Sequence, residues 1–304
     1  STNAADAFPS KPVRIIVPNA AGGPSDLVGR LFAQKLGEAW GQPVVVENRV
    51  GASGNIGVEA VTKAAPDGYT LLITNSAPIV VNQSLYAKVP YDAQRDLAAI
   101  SLLASSPQVL VVPVASPVTT VAELIRAARA DPGKMTFGSL GVGTAPHLAG
   151  EMFKSQARVD LLHVPYRAVP QIYAGLMSGE VSMFFDVASV LAQVSAGKLR
   201  ALAVAGRART ALAPQVPTMI EAGFADFAIA SWVALYAPAG TPRPIIDAAN
   251  RALREAMSDP GLNKDLAEWG WTAQPGSPED LGAFTRAEIA RYRKLVEISG
   301  AKAE

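Results

Sequence analysis

Short apolar runs alternate with stretches of helical period through most of the chain. VRIIV (Val13–Val17) precedes the helical pattern Leu27–Leu36, and PVVVE (Pro43–Glu47) precedes a helix over Asn55–Lys63. YTLLIT (Tyr69–Thr74) follows. These runs are apolar on both faces, as strands of a buried parallel sheet must be. The pattern breaks at Pro107 and restarts with VLVV (Val109–Val112) and the helix Val121–Ala130, which Asp131-Pro132-Gly133 ends. MTFGS (Met135–Ser139), a helix over His147–Lys154, LLHV (Leu161–Val164), VSMFF (Val181–Phe185) and LRALAVA (Leu199–Ala205) come next. After AIASWVALYAPAG (Ala228–Gly240) the remainder reads as amphipathic helix, with Pro244 and Pro278 near two helix starts.

Strands separated by helices imply βαβ units. The restart implies a second unit of similar build, so the expected fold is α/β with two domains. Ligands of open α/β sheets bind beyond the carboxyl ends of the strands. The first half places polar, glycine-rich loops there at Asn19–Asp26, Asn48–Asn55 and Asn75–Pro78. The second half does so at Ser139–His147, Pro165–Val169 and Asp186–Ser189. Two domains whose loops converge on one cleft make a ligand clamp.

The loop PNAAGGPSD (Pro18–Asp26) carries Gly22 and Gly23 where a strand turns into a helix. Such a turn can seat an anion on unpaired helix N–H groups. It lacks the Gly-Lys-Ser/Thr of a phosphate loop and the GxGxxG of a dinucleotide site. Ser25 and Asp26 resemble N-cap residues, so an ordinary capped turn is the competing reading.

Composition narrows the partners. Twenty-seven basic and 26 acidic side chains are interspersed, giving a formal charge of +1, and no basic stripe marks a nucleic-acid surface. No apolar run approaches the roughly 18–20 residues of a membrane span. Cysteine is absent and histidine occurs twice, which leaves no thiolate chemistry and no ligand spacing for a metal. The start, STNAADAFPSKP, reads as a tail left by signal-peptide removal or as a truncation.

The motifs PNAAGGPSD, GQPVVVENRVGASGNIG, PDGYTLLIT, SLYAKVPYD, PGKMTFGSLGVGTAPHLAGEMF, HVPYR, AGKLRALAV, VPTMIEAGF and APAGTP run in order from Lys11 to Gly276. Their order and spacing resemble the Bug family (TctC-like), the periplasmic solute-binding proteins of tripartite tricarboxylate transporters. The resemblance implies a type II periplasmic-binding-protein fold. One domain would hold residues 8–106 and 236–304, the other 107–235, with crossings near 105–109 and 232–237. It implies no cofactor and no catalysis. It also implies a monomer in the periplasm of a Gram-negative bacterium that closes on an organic carboxylate and serves a membrane transporter. The alternatives are a ligand sensor for a signalling partner and, behind it, an enzyme acting on a carboxylate.

The same resemblance assigns one ligand carboxylate to main-chain groups of two loops. The first is Asn19, Ala20, Ala21, Gly22, Gly23, Ser25 and Asp26; the second is Ser139, Gly141, Gly143 and Thr144. Backbone donors suit an acceptor-only carboxylate. The Ser25 and Thr144 hydroxyls would donate to the ligand or cap their helices. Asn75 and Ser76 would line the cleft or form a local turn. His147, in a helix first turn, is expected to be neutral and to orient its loop or touch the ligand. His163 reads as a buried structural histidine. Arg167 would meet a second carboxylate or sit solvated on the rim. Asp186 would accept from a ligand hydroxyl or amine, or cap the next helix. Asn19 stands where the family commonly has Phe, and Ala168 where it commonly has Gly. For catalysis, Ser139 and His147 are the tempting pair, without a GxSxG elbow or third member.

Overall fold

The computed structural model describes residues 8–302, so the reading of STNAADA lies outside it. In chain order, β1 (Val13–Val17), α1 (Pro24–Trp40), β2 (Val44–Asn48), α2 (Asn55–Thr62) and β3 (Thr70–Asn75) form two βαβ units. A π-turn (Ala77–Val81) and the short α3 (Asn82–Leu85) and α4 (Ala93–Asp96) lead into β4 (Leu97–Pro113). Then come α5 (Val121–Ala130), β5 (Thr136–Ser139), α6 (Ala145–Ala157), β6 (Leu162–Pro165), α7 (Val169–Ser178) and β7 (Met183–Val187). The chain ends with α8 (Leu191–Ser195), β8 (Leu199–Ala205), β9 (Ala230–Pro238), α9 (Arg243–Ala256), α10 (Pro260–Glu268), β10 (Thr272–Ala273) and α11 (Pro278–Ser299).

β1, β2 and β3 are parallel, with β1 in the middle, and β9 and then β4 add antiparallel beyond β3. β4 also joins a second set, antiparallel to both β7 and β8, while β5 and β6 run parallel to β7. This is the two-domain type II periplasmic-binding-protein arrangement.

One element differs from the expected pattern. A strand was expected over Val109–Val112, after Pro107; instead β4 starts at Leu97 and runs through that proline for 17 residues. Pro107 is its last pairing with β9, opposite Ala230, and Gln108 is its first with β7 and β8. A proline lacks a ladder donor, and it is tolerated where a strand changes partners. Small residues (Ala98, Ala99, Ser101, Ala104, Ser105, Ser106) hide the strand from a period-two reading.

α11 covers this crossing. Tyr236 and Thr285 share a hydroxyl hydrogen bond at 2.9 Å, and Arg291, paired with Glu288, reaches the Ala228 carbonyl. Trp232 is buried and packs edge-on against Phe284 at 5.4 Å. The domains also meet at Gly143, where an added Cβ would lie 2.6 Å from Leu85 Cδ2, and at Gly270, where it would lie 2.2 Å from the Ser189 nitrogen. In both places glycine, at φ +83° and +78°, permits a close backbone approach across the crossing.

Candidate functional site

α1 begins with Pro24 at its first position, which suits a ring with φ fixed and no N–H. Its N-cap is Gly23, with no side-chain cap bond, so Ser25 and Asp26 are not caps. They are the second and third helical residues. Asp26 is fully buried and faces its own loop. Its Oδ2 accepts from the Gly22 N–H at 2.8 Å and from Arg30 Nε at 2.9 Å; its Oδ1 accepts from Asn48 Nδ2 at 2.7 Å. Asn48 also donates to the Asn19 carbonyl at 2.9 Å, and Arg30 donates to Asn48 Oδ1 at 2.7 Å. Burial works to raise the Asp26 pKa, but the bonds from Arg30, Asn48 and Gly22 outweigh it and hold it below the ordinary value. The Asp26 carboxylate is therefore spent on organising the loop.

The loop's glycines shape it and do not supply its open donors. Gly22, at φ +79°, spends its N–H on Asp26, and Gly23 donates to the Ala20 carbonyl at 3.3 Å. Among the described residues, the N–H groups of Ala20, Ala21, Ser25 and Asp26 have no protein acceptor. Ser25 Oγ accepts from Asn75 Nδ2 at 3.3 Å, which leaves the hydroxyl proton available. Asn75 Oδ1 accepts from the Ala77 N–H at 3.1 Å, so Asn75 is both an Asx turn and a neighbour of the loop. Ser76 is buried at the start of the π-turn. Asn19 Oδ1 is a buried acceptor without a protein partner.

The second loop is built the same way. Thr144 is the N-cap of α6 without a side-chain cap bond, and Pro146 and His147 follow in its first turn. His147 Nδ1 accepts from the Gly143 N–H at 3.2 Å, so Nδ1 carries no proton. Burial, then the nearby His163 and Lys154, push the His147 pKa down to about 4, which keeps the ring neutral. Ser139, fully buried, accepts from the Gly141 N–H at 2.9 Å and lies 2.6 Å from His163 Nε2. The Thr144 hydroxyl donates to the Gly141 carbonyl at 2.7 Å. The N–H groups of Leu140, Val142, Ala145 and His147 have no acceptor among the described residues. The Ser139 and Thr144 hydroxyls and the Gly141 and Gly143 N–H groups are thus engaged inside the loop.

The pair that a catalytic reading would need, Ser139 with His147, does not form; the serine's partner is His163. That histidine is half-buried rather than buried, and burial followed by Lys154 lowers its pKa. Ala168, the N-cap of α7, has an extended backbone (φ −152°, ψ 147°), so alanine is accommodated without strain where the family commonly has glycine. Arg167 is exposed beside it, and its guanidinium makes no hydrogen bond or ion pair among the described residues. Asp186, at the end of β7, is buried and accepts from the Tyr173 hydroxyl at 2.6 Å and the Val187 N–H at 2.8 Å. Burial pushes its pKa up to about 6 against those two bonds. It neither caps the following turn nor has an oxygen free of partners.

Two cavities are lined by residues of the second domain, and of the candidate site residues Arg167 alone borders either. One of about 630 Å³ sits between α5, β8 and the 215–222 segment, lined by Thr120, Val121, Leu199, Arg200 and Val216. Another of about 550 Å³ runs beside α7, with Arg167, Tyr166 and Glu180 in its wall. No group of three or more His, Cys, Asp or Glu able to hold a metal occurs among the described residues.

A sequence profile described as the tripartite tricarboxylate transporter family receptor matches residues 28–300. The chain belongs to this family. It is 40% identical over 293 residues to the UPF0065 protein in the tcbD-tcbE intergenic region of Pseudomonas sp. strain P51, covering 96% of this chain and 87% of that one. The structure of Rpa4515 from R. palustris with adipate superposes with a TM-score of 0.86 at 34% identity, covering 97% of this chain and all of that chain. MatC (Rpa3494) from Rhodopseudomonas palustris with bound malate superposes with a TM-score of 0.81 at 28% identity, covering 95% of this receptor.

Sequence reasoning missed the groups that shape the receptor's loops: Arg30 and Asn48 around Asp26, and His163 behind Ser139. A signal was present. GGPSD (Gly22–Asp26) and GTAPH (Gly143–His147) both place a polar side chain four residues after a glycine, in a helix first turn. Aligning the two would have marked Asp26 and His147 as partners of glycine N–H groups.

Proposed function

We propose that this protein is a periplasmic receptor that closes on a small organic carboxylate and delivers it to a tripartite tricarboxylate transporter. The observation that carries the reading is the pair of strand-end loops, one per domain, each with unpaired main-chain N–H groups at the start of a helix. A carboxylate needs several acceptor-compatible donors and no more chemistry than that. Ser25 adds a hydroxyl donor, and the unpaired Arg167 suits a second carboxylate bidentately. Adipate and malate, named for two structural relatives, are both dicarboxylates. Family membership supports the transporter as partner.

The Ser139–His163 contact is the one observation that favours a hydrolytic reading. Ser139 is fully buried, its oxygen already accepts from Gly141, and no carboxylate orients His163. The contact serves the loop, not a reaction.

A thermal-shift panel tests the proposal. Adipate, malate, an aromatic acid, phosphate and a nucleotide are compared at millimolar concentration on ligand-free protein. A ligand at about 100 times its Kd adds roughly 2.7 kcal/mol, a rise of a few degrees for a chain of this size. A selective carboxylate response is expected. A response only to phosphate or nucleotide contradicts the reading.

A further inference from the structure

The second loop stands on two imidazoles that no ligand role requires. His147 and His163 lie ring to ring at 4.5 Å, and both stack on Phe137, at 6.3 and 5.0 Å. Phe137 is fully packed, so the rings are held in place from behind. From that platform each histidine reaches one glycine of the loop. His147 accepts the Gly143 N–H directly, and His163 holds the Ser139 hydroxyl, whose oxygen accepts the Gly141 N–H. Gly141 and Gly143 take φ of +113° and +83°, which glycine adopts without strain but also leaves freely, so the two N–H bonds select one loop shape among several.

We propose that His147 and His163 are a pair of positioning residues. As neutral imidazoles, one directly and one through Ser139, they take up the Gly143 and Gly141 N–H groups. They thereby fix the loop shape that leaves the Leu140, Val142, Ala145 and His147 N–H groups open. The consequence for affinity rests on the carboxylate reading above; the lock itself rests on this geometry alone.

Neutrality is essential to the lock. A proton on His147 Nδ1 would set two N–H donors against each other at 3.2 Å. The charged and titratable groups facing the pair are Glu151 and Lys154 of α6 and the histidines themselves. Glu151 Oε1 lies 4.0 Å from His147 Nε2, too far for a hydrogen bond, and 3.4 Å from Lys154 Nζ. Lys154 and the neighbouring ring oppose protonation of His147, and burial opposes it most. The lock therefore holds at neutral pH and opens as pH falls toward about 4.

The test is residue-resolved amide exchange of the loop in ligand-free protein, with calorimetry of adipate beside it. Three variants are compared with wild type. His163→Phe keeps the stacked ring and removes the nitrogen that holds the Ser139 hydroxyl. Ser139→Ala removes the relay. His147→Asn replaces Nδ1 with a carbonyl oxygen that accepts the same N–H and does not titrate. His163→Phe and Ser139→Ala are each expected to cut Gly141 protection by about tenfold or more, the worth of one buried hydrogen bond. Their double variant should be no worse than either, because they share one relay. Gly143 protection factors should fall in wild type between pH 6 and 4 and stay flat in His147→Asn. Should His163→Phe not fold, His163→Gln, which offers the Ser139 hydroxyl both a donor and an acceptor, should restore Gly141 protection relative to Ser139→Ala.

Gly141 protection unchanged in both His163→Phe and Ser139→Ala overturns the inference. A Gly143 profile with the same pH dependence in wild type and His147→Asn overturns it too. Adipate affinity that survives full loss of protection shows that the loop shape does not matter to binding, and also overturns it. Wild-type protein that binds no carboxylate counts instead against the reading of the previous subsection, while the exchange data decide the lock on their own.

Discussion

The two strand-end loops use one geometry and two chemistries. In each, a glycine at positive φ donates its N–H to the side chain four residues on, which occupies the third position of the following helix. In the first domain the acceptor is the Asp26 carboxylate, balanced by Arg30 and Asn48. In the second it is the neutral His147 ring, backed by His163 and Phe137. The charged acceptor makes the stronger hydrogen bond, and the cation beside it offsets the repulsion an anionic ligand would feel. The neutral acceptor brings no charge to the site but can be switched off by a proton. The lesson is that the glycines determine where the loops go, while their non-glycine neighbours keep the open donors.

The largest expected effect comes from removing the charged acceptor. Asp26→Ala leaves Gly22, Arg30 and Asn48 without their shared partner. It should cost about 3 kcal/mol of stability, measured by denaturant unfolding, and abolish detectable ligand binding. A loss below about 1 kcal/mol would show that the first loop does not depend on Asp26.

Asp186 offers a contrast in sign within the second domain. Its pKa is raised to about 6 from an ordinary 3.8, so the folded state holds its proton more tightly. Its contribution to stability is full below 3.8 and is lost as pH rises through about 6, an effect of about 3 kcal/mol. His147 runs the other way: with its pKa depressed from 6.5 to about 4, its contribution is present above 6.5 and is lost as pH falls to about 4. Asp186→Asn should therefore steepen the rise of stability with pH between 4 and 6, as read from unfolding midpoints. An unchanged slope would mean that Asp186 does not titrate in this range.

Acid separates the two loops directly. The depressed pKa of Asp26 keeps it ionised below its ordinary 3.8, whereas His147 titrates near 4. At about pH 4 the Gly22 amide should remain protected from exchange while Gly143 has lost protection. Parallel loss at both glycines would erase the proposed distinction.

The smallest effects distinguish the hydroxyls. Ser25 keeps a free proton, and Ser25→Ala should weaken carboxylate binding about tenfold, about 1.4 kcal/mol. Thr144 already donates to Gly141, so Thr144→Ala should weaken it only about threefold, through the loop. Calorimetry that reverses this order would place the ligand against the second loop's hydroxyl.

Much of this was legible in the sequence, and the misses have physical causes. α5 and β8 fall at the expected residues because Asp131-Pro132-Gly133 and the run LRALAVA leave little choice. Only the Val109–Val112 part of β4 was read, because the small residues before Pro107 give no apolar run; a change of partner strands at that position is a tertiary event with no local signature. The loops were found from Gly22–Gly23 and Gly141–Gly143, but their hydrogen-bond assignments were not. Arg30 and Asn48 reach Asp26 from a helix and a strand end, and His163 reaches Ser139 from a neighbouring strand. Such contacts depend on which strands lie side by side, and spacing along the chain does not report that.

The measurement that tests the central claim most directly is amide hydrogen exchange with and without the carboxylate that gives the strongest thermal shift. The account predicts new protection at Ser25 and Asp26 in the first loop and at Val142 and Ala145 in the second, all N–H groups without a protein acceptor. Protection that leaves these four amides unchanged and appears instead around Val121, Leu199 and Arg200, at the 630 Å³ cavity, would contradict it.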